Sequence, residues 1–385
     1  MLDTDPSHED HRGGDLVRSD VAHASRAMKR WLIIAACSFT AVLAAGVLAR
    51  ELLPVRSILG LMDDPACTPD TIHVRLPDNA ASPAGTWSGA APYPHARDEV
   101  RAVGLEGQIY VGTGLTVREG NFSSLSEFFR FDPSLGTYES LAETPQRLDH
   151  TALVTHDDAL YIIGGYNDTR PLADVWRYSV GTGEWSALAP MRIARGSPAA
   201  AVIGDKIYVA GGSQDEQGAW TGAMSSVEVY DIASGTWSAA PDMPTPRHHH
   251  GAAALDERFV VVGGRNDDDL SLDVVEQFDP ASGRWTRLPS LPAGAGGVAV
   301  VAAGDRIVAV GGGDDEERWL TAAAWAYDPT SESWTRIADL DVARHGHGAA
   351  AVGPDVYVFA GSPCPGYGHT DVVEHVVVDS TAAAG

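Results

Sequence analysis

Six times along this chain an aromatic residue is followed, twenty-seven positions later, by a glycine. The pairs are Trp87 and Gly114, Tyr138 and Gly165, Trp185 and Gly212, Trp237 and Gly264, Trp285 and Gly312, and Trp334 and Gly361. Seven positions before each of the last five aromatics stands another: Phe131, Tyr178, Tyr230, Phe278 and Tyr327. Ser225 to Gly264 shows what one unit contains. Val227–Tyr230 alternates apolar with polar, Ala233-Ser234-Gly235 turns the chain into Trp237, and Phe259–Val262 runs apolar into Gly263-Gly264. A period of about 47 to 52 residues made only of short strands and turns predicts a β-propeller, not a helical array.

The Gly-Gly stops (Gly164-Gly165, Gly211-Gly212, Gly263-Gly264, Gly311-Gly312), the spaced aromatic pairs, and Arg195, Arg247 and Arg344 resemble the kelch repeat, over roughly Gly85 to Asp379. Two copies are degraded, with Gly112-Thr113-Gly114 in the first and Gly361-Ser362 in the last. The resemblance implies an all-β, six-bladed propeller, each blade a four-stranded antiparallel meander around a central channel. It implies little about chemistry, because kelch propellers serve as protein-binding modules and also as sugar oxidases and sialic-acid epimerases. A copper-radical oxidase needs a cysteine crosslinked to tyrosine, and only Cys364 lies within the repeats, so that class is not expected.

The copies are offset from the ends of the repeat region. The first begins with its aromatic, Trp87, and the last ends with Thr370–Asp379 and no aromatic strand after it. The strand around Trp87 is therefore expected to complete the last blade, closing the ring and hiding sheet edges that would otherwise template aggregation.

Ahead of the repeats the composition changes. Residues 1–30 have no apolar period and read as a disordered, cytoplasmic head. Trp31 to Ala49 is nineteen residues without a charge. As a helix it would be roughly 28 Å long, close to the hydrocarbon thickness of a bilayer. Arg26, Lys29 and Arg30 precede it, which favours the amino terminus inside and the propeller outside. A signal peptide starting from Met28 and cleaved after Val47-Leu48-Ala49, giving a secreted domain, is the alternative. The expected organisation is head (1–30), transmembrane helix (31–49), linker (50–70), propeller (71–380) and tail (381–385). The net charge of −25 argues against nucleic acid as a partner. Cys67 precedes the first repeat aromatic and Cys364 follows the last glycine stop; if the ends of the repeat region meet, an exported domain would join them in a disulfide.

From aromatic to glycine the spacing never varies, whereas from glycine to the next Tyr or Phe the gaps are 17, 13, 18, 14 and 15. All insertions therefore fall between strands two and three of a blade. By antiparallel parity these loops share a face with the links from strand four to the next strand one, and variable loops on a fixed scaffold are where binding surfaces are placed. Two sets of residues are expected there. The outer set carries aromatics, Phe122, Tyr166, Trp220, Trp319 and Tyr367, with Arg265 in the fourth loop. Acids accompany them, among them Glu216, Asp267 and Asp314. Such a rim suits stacking on sugars or gripping a cationic peptide, although acids after Gly-Gly also read as turn formers. The inner set is Arg97, Arg195, Arg247 and Arg344, each seventeen positions before its glycine, with Arg147 one residue out of register and Ala295 in the fifth copy. A ring of guanidinium groups at a channel mouth would hold a carboxylate or phosphate, while the competing reading makes them repeat-consensus residues bonded to a neighbouring blade. His150, His250 and His347 lie beside them, but His150 is one residue out of step and His248-His249 reads as a polar turn, so no metal site and no cofactor are expected. The resulting expectation is an extracytoplasmic binding domain for a protein or polysaccharide. The alternative is an epimerase- or mutarotase-like enzyme acting on a sugar or sugar acid.

Overall fold

A computed structural model describes residues 73–74, 86–118, 121–217, 222–267, 271–314, 319–366 and 368–378. The expected head, transmembrane helix, linker and tail lie outside these residues. Every regular element among the described residues is a strand, and no described helix is long and apolar enough to cross a membrane.

Six four-stranded antiparallel sheets follow one another as blades. Blade 1 comprises Arg101–Leu105, Gln108–Gly112, Phe128–Asp132 and Thr137–Ser140. Blades 2 to 5 repeat the plan, their innermost strands being Ala152–His156, Ala199–Ile203, Gly251–Leu255 and Ala299–Ala303. Blade 6 takes three strands from Gly348–Val352, Asp355–Phe359 and Val373–Val377, and its fourth from Ser88–Gly89, which pairs as Ser88 with His375 and Gly89 with Glu374. The ring thus closes as the offset of the copies predicts. Just upstream, His73–Val74 runs parallel to Trp319–Leu320, a contact the sequence pattern gave no sign of.

The repeat aromatics explain how blades hold together. In blades 1 to 5 the strand-three aromatic lies directly opposite the strand-four aromatic, as Phe131 with Tyr138 and Tyr230 with Trp237. The ring centroids are 4.7–5.3 Å apart. From there each strand-four aromatic reaches back to the previous blade. Tyr138 donates to Ala91 O, Trp185 to Ala142 O, Trp237 to Ala189 O, Trp285 to Pro241 O and Trp334 to Pro289 O, at 2.8–3.0 Å. Each acceptor stands four residues after the previous blade's own aromatic. Six apolar clusters fill the six gaps between neighbouring blades, and Trp87 is buried in the one shared by blades 5 and 6. Because the core lies between blades, strand two is packed on both sides. That is why it reads as an unbroken apolar run such as Phe259–Val262.

The glycine ending each repeat interval marks where strand two turns away. Gly212 and Gly264 take φ of +95° and +98°, and a Cβ there would stand 2.7 Å from atoms of the link to strand one. The degraded copies keep the backbone path without the first glycine, placing Thr113 and Ala360 at φ +59° and +56°.

Candidate functional site

The residue after each of these glycines forms an isolated bridge to the link entering the same blade. The six bridges join Leu115 to Asp98, Tyr166 to Asp149, Ser213 to Gly196, Arg265 to His248, Gly313 to Gly296 and Ser362 to His345. The loops between strands two and three and the links from strand four to strand one therefore share one face. Within it, the sequence-predicted residues separate into three groups.

Arg97, Arg195, Arg247 and Arg344 are wholly buried, with 0% of their surface exposed. Each pairs with a carboxylate at the start of strand three of the blade it enters. Arg195 reaches Glu228 at 2.8 Å, Arg247 reaches Glu276 at 2.6 Å, and Arg97 and Arg344 pair with Glu127 and Glu374. The other guanidinium nitrogen donates to backbone carbonyls where strand two ends and strand three begins, as Arg247 Nη1 does to Gly263 O at 2.9 Å and Val274 O at 2.8 Å. Burial pulls the Arg195, Arg247 and Arg344 guanidinium groups below their ordinary pKa, against the carboxylates beside them. The expected anion-holding ring is corrected here: these side chains fasten the link to its own blade and are not open at the channel. Arg147, out of register, is half exposed and binds Asp168 at 2.9 Å.

The expected aromatic rim also turns inward where it is described. Tyr166 is 1% exposed and packs so closely over Gly196 that a Cβ there would collide with its ring. Burial pushes its hydroxyl well above the usual tyrosine pKa. Trp319 is buried, in a strand that pairs with His73–Val74. Trp220 and Tyr367 lie outside the described residues, as does the side chain of Phe122. The loop acids have local work: Asp267 accepts from the N–H groups of Gly222 and Ala223 at 3.3 Å, tying the third loop to the fourth, and Asp314 accepts from Ser271 Oγ at 2.8 Å. Glu216 and Asp267 nonetheless remain exposed.

At the axis the structure assembles a polar cluster that the sequence pattern did not disclose. The position fifteen before each repeat glycine, one after each bridge, is occupied by Glu99, His150, Ser197, His249, Gly297 and Gly346. All six have left-handed backbone, with φ between +48° and +65°. Four of them are not glycine, at a cost of about 1–2 kcal/mol each. His150 Nε2 lies 3.4 Å from Glu99 Oε1, and its Nδ1 lies 2.6 Å from Asp149 Oδ1, which is one bridge position back. Asp149 Oδ2 in turn accepts from Ser124 Oγ at 2.6 Å. His249 stacks edge-on to His150, ring centroids 5.0 Å apart, with Ser197 Oγ 3.3 Å from its Nε2 and His248 Nδ1 2.6 Å from its Nδ1. Arg101 approaches Glu99 Oε2 at 3.4 Å. One ligand atom from each of Glu99, His150 and His249 lies within 4.8 Å of the others, and the same holds for Asp98, Glu99 and His345.

Electrostatics in this cluster follow from its burial. Burial would raise Glu99, but His150, Arg101, His345 and Arg265 outweigh it and hold the carboxyl below its usual range. Burial and then His248 depress His249 far below the ordinary histidine value, leaving a neutral ring. Burial raises Asp149 against its hydrogen bonds from His150 and Ser124. His250 and His347 are likewise depressed by burial, but they point away from the cluster. His250 packs against Gly211, and His347 Nε2 lies 3.1 Å from Val310 O. Below the cluster the channel is narrow, with a cavity of about 90 Å³ walled largely by alanine and glycine; Glu99 and His249 border it.

Cys364 is disulfide-bonded; Cys67, its expected partner, lies outside the described residues.

Comparison with known proteins agrees with the fold. The KLHDC2/KLHL20/DRC7 Kelch-repeats domain model matches residues 64–243 and 192–361. Kelch-like protein terF of Aspergillus terreus is 28% identical over 186 residues, covering 46% of this chain and 40% of its own. Kelch-like protein 40 of Xenopus laevis is 30% identical over 180 residues, 46% of this chain and 28% of its own. Beta-scruin of Limulus polyphemus is 29% identical over 195 residues, 48% of this chain and 21% of its own. These matches span well under half the length of the relatives. The chain belongs to the kelch-repeat propeller family represented by the KLHDC2/KLHL20/DRC7 Kelch-repeats domain.

Proposed function

We propose that this chain is a protein-binding kelch propeller, held at a membrane by residues 31–49 with the propeller outside, which receives a basic segment of its partner on the face of the strand two–three loops. One observation carries the reading. The scaffold repeats without variation from aromatic to glycine, while every change of length is confined to loops gathered on one face. That face exposes Glu216 and Asp267 on a chain of net charge −25, so a cationic partner would be steered toward it. A Cys67–Cys364 disulfide belongs to the same proposal, because it would fasten the approach to the first repeat against the sixth loop under oxidising conditions. The sugar-acid alternative is not favoured, since the arginines that would hold a carboxylate are taken up by internal glutamates.

The test is to capture partners with the intact chain and compare charge reversals on the two faces. Glu216→Lys with Asp267→Lys should lower capture at least tenfold. Asp256→Lys with Glu257→Lys, on an exposed strand one–two turn of the opposite face, should not. Equal loss from both pairs would show that the charge matters but the face does not. Capture of a polysaccharide alone, insensitive to both, would replace the protein partner with a glycan. Protease resistance of the propeller in intact cells would refute its placement outside.

A further inference from the structure

We propose that Glu99, His150 and His249 form a binding site for a divalent transition-metal ion, zinc above all, joining blades 1, 2 and 4 across the propeller axis. Two imidazoles and one carboxylate are a donor set that zinc takes readily, with a fourth position left for water. The geometry is close to what the ion needs. Around a tetrahedral zinc with bonds of about 2.0–2.1 Å, ligand atoms stand about 3.3 Å apart. His150 Nε2 and Glu99 Oε1 are already at 3.4 Å, and the three ligand atoms lie within 4.8 Å of one another.

The surroundings serve the same end. Asp149 Oδ1, at 2.6 Å from His150 Nδ1, orients that ring so that Nε2 faces Glu99, the arrangement of a carboxylate behind a metal-bound histidine. Arg101 approaches the other oxygen of Glu99, Oε2, leaving Oε1 toward the histidine. A Cβ on Gly346 would collide with Asp98 Oδ1 and Glu99 Oε1, so the absence of a side chain in blade 6 makes the room these carboxylates occupy. Glu99 and His249 border the channel cavity, which gives an ion a route along the axis.

The backbone adds an independent point. The three ligands hold one equivalent position in their blades, where the backbone is left-handed and where blades 5 and 6 carry Gly297 and Gly346. Glycine meets the conformational demand of that position without strain. Side chains at 99, 150 and 249 are therefore borne against the backbone's preference, and all three converge on one point.

The same fact supplies the test. His150→Gly and His249→Gly remove a ligand while installing the residue the backbone accepts elsewhere in the ring, so both should fold; Glu99→Gln removes the charge and keeps the shape. The full chain, stripped with chelator and dialysed, is titrated with Zn²⁺ or with Co²⁺ alone. Wild type should bind one equivalent at this site at micromolar affinity or better, with the visible absorption of tetrahedral Co²⁺ and a raised melting temperature. Each of the three variants should weaken binding at least a hundredfold and abolish the absorption, while His250→Gly leaves both unchanged. Failure of wild type to bind, or unchanged binding in any of the three folded variants, would overturn the site and leave the surface-binding function untouched.

Discussion

Arg247 and Glu276 meet at 2.6 Å in a pocket where the guanidinium is wholly buried and the carboxylate nearly so. The pair joins the link entering blade 4 to the start of that blade's third strand. Blades 3 and 6 repeat it in the same register with Arg195–Glu228 and Arg344–Glu374. In blades 2 and 5 both positions change together: Leu148 and Ala295 stand where the arginine would be, Trp176 and Trp325 where the glutamate would be. The chain thus contains its own apolar replacement for a buried ion pair.

Removing one partner and replacing both should have different outcomes. Arg247→Ala leaves Glu276 charged and buried, and should cost about 3–5 kcal/mol in urea unfolding. Arg247→Leu combined with Glu276→Trp transplants the blade 2 solution and should recover most of that loss, since apolar replacement of a buried pair is often near neutral. A double variant as unstable as the single one would show that the pair cannot be exchanged between blades.

The contrast between arginines and histidines shows how far a sequence reading reaches. The blade count, the closing strand and the loop face were legible because fixed hairpin and link lengths force a constant interval between aromatic and glycine. The glutamate partners were not, although the exchange of Arg with Glu for Leu or Ala with Trp was present in the sequence; seeing it requires the pairing register of strand three. The axial placement of His249, with His250 directed elsewhere, is hidden in the sequence for a different reason. Parity along a strand assigns alternate residues to opposite sides, but the left-handed residue fifteen before each glycine breaks that alternation. It turns His150 and His249 to the axis and leaves His250 against Gly211.

Trp237 and Ala189 O, 2.8 Å apart, exemplify the bond between neighbouring blades. Trp237→Phe keeps most of the packing against Tyr230 but loses the donor, and should cost about 1 kcal/mol. Trp237→Ala loses both and should cost about 3 kcal/mol, the low end for a large aromatic because this one is only half buried. Chemical denaturation of the two variants separates the contributions; a Trp237→Phe variant as stable as wild type would mean the indole N–H contributes nothing, and equal losses in the two would mean the same of the ring packing.

The closing strand offers a sharper perturbation. Ser88–Gly89 pairs with the outer edge of blade 6, Ala90 N and Tyr93 N add bonds to Val373 O and Asp371 O, and Trp87 fills the gap between blades 5 and 6. Deleting residues 86–92 should lower the melting temperature and promote self-association through the uncovered edge of Val373–Val377. A synthetic peptide spanning residues 84–94, added in trans, should reverse both effects. An unchanged melting temperature in the deletion would mean that the seam is not what keeps the ring closed.

Acid should weaken the fold through a repeated turn. Asp132, Asp231, Asp279 and Asp328 each stand one residue after a strand-three aromatic and accept N–H bonds from the turn that follows, as from Ser134, Ser234, Ala281 and Thr330 at 2.8–2.9 Å. All four carboxyls lie below the usual aspartate range. For Asp132 the Ser134 hydroxyl is the main cause, for Asp231 the Lys206 ammonium, and for Asp328 the Thr330 N–H. For Asp279, burial pulls upward and is outweighed by Ser282, Ala281 and Arg258. A carboxyl depressed in the folded chain binds protons more tightly once unfolded, so its stabilising effect is complete above the unfolded value of about 3.9. That effect is lost as pH falls through the lower, folded value. Asn at these positions keeps an acceptor oxygen but does not titrate. A variant carrying Asn at all four should therefore lose less of its urea midpoint than wild type does between pH 5 and pH 3, although it starts lower at pH 7 for want of the Lys206 pair. If the two midpoints fall in parallel, the acid sensitivity lies in other carboxylates, and these turns are held by their geometry rather than by their charge.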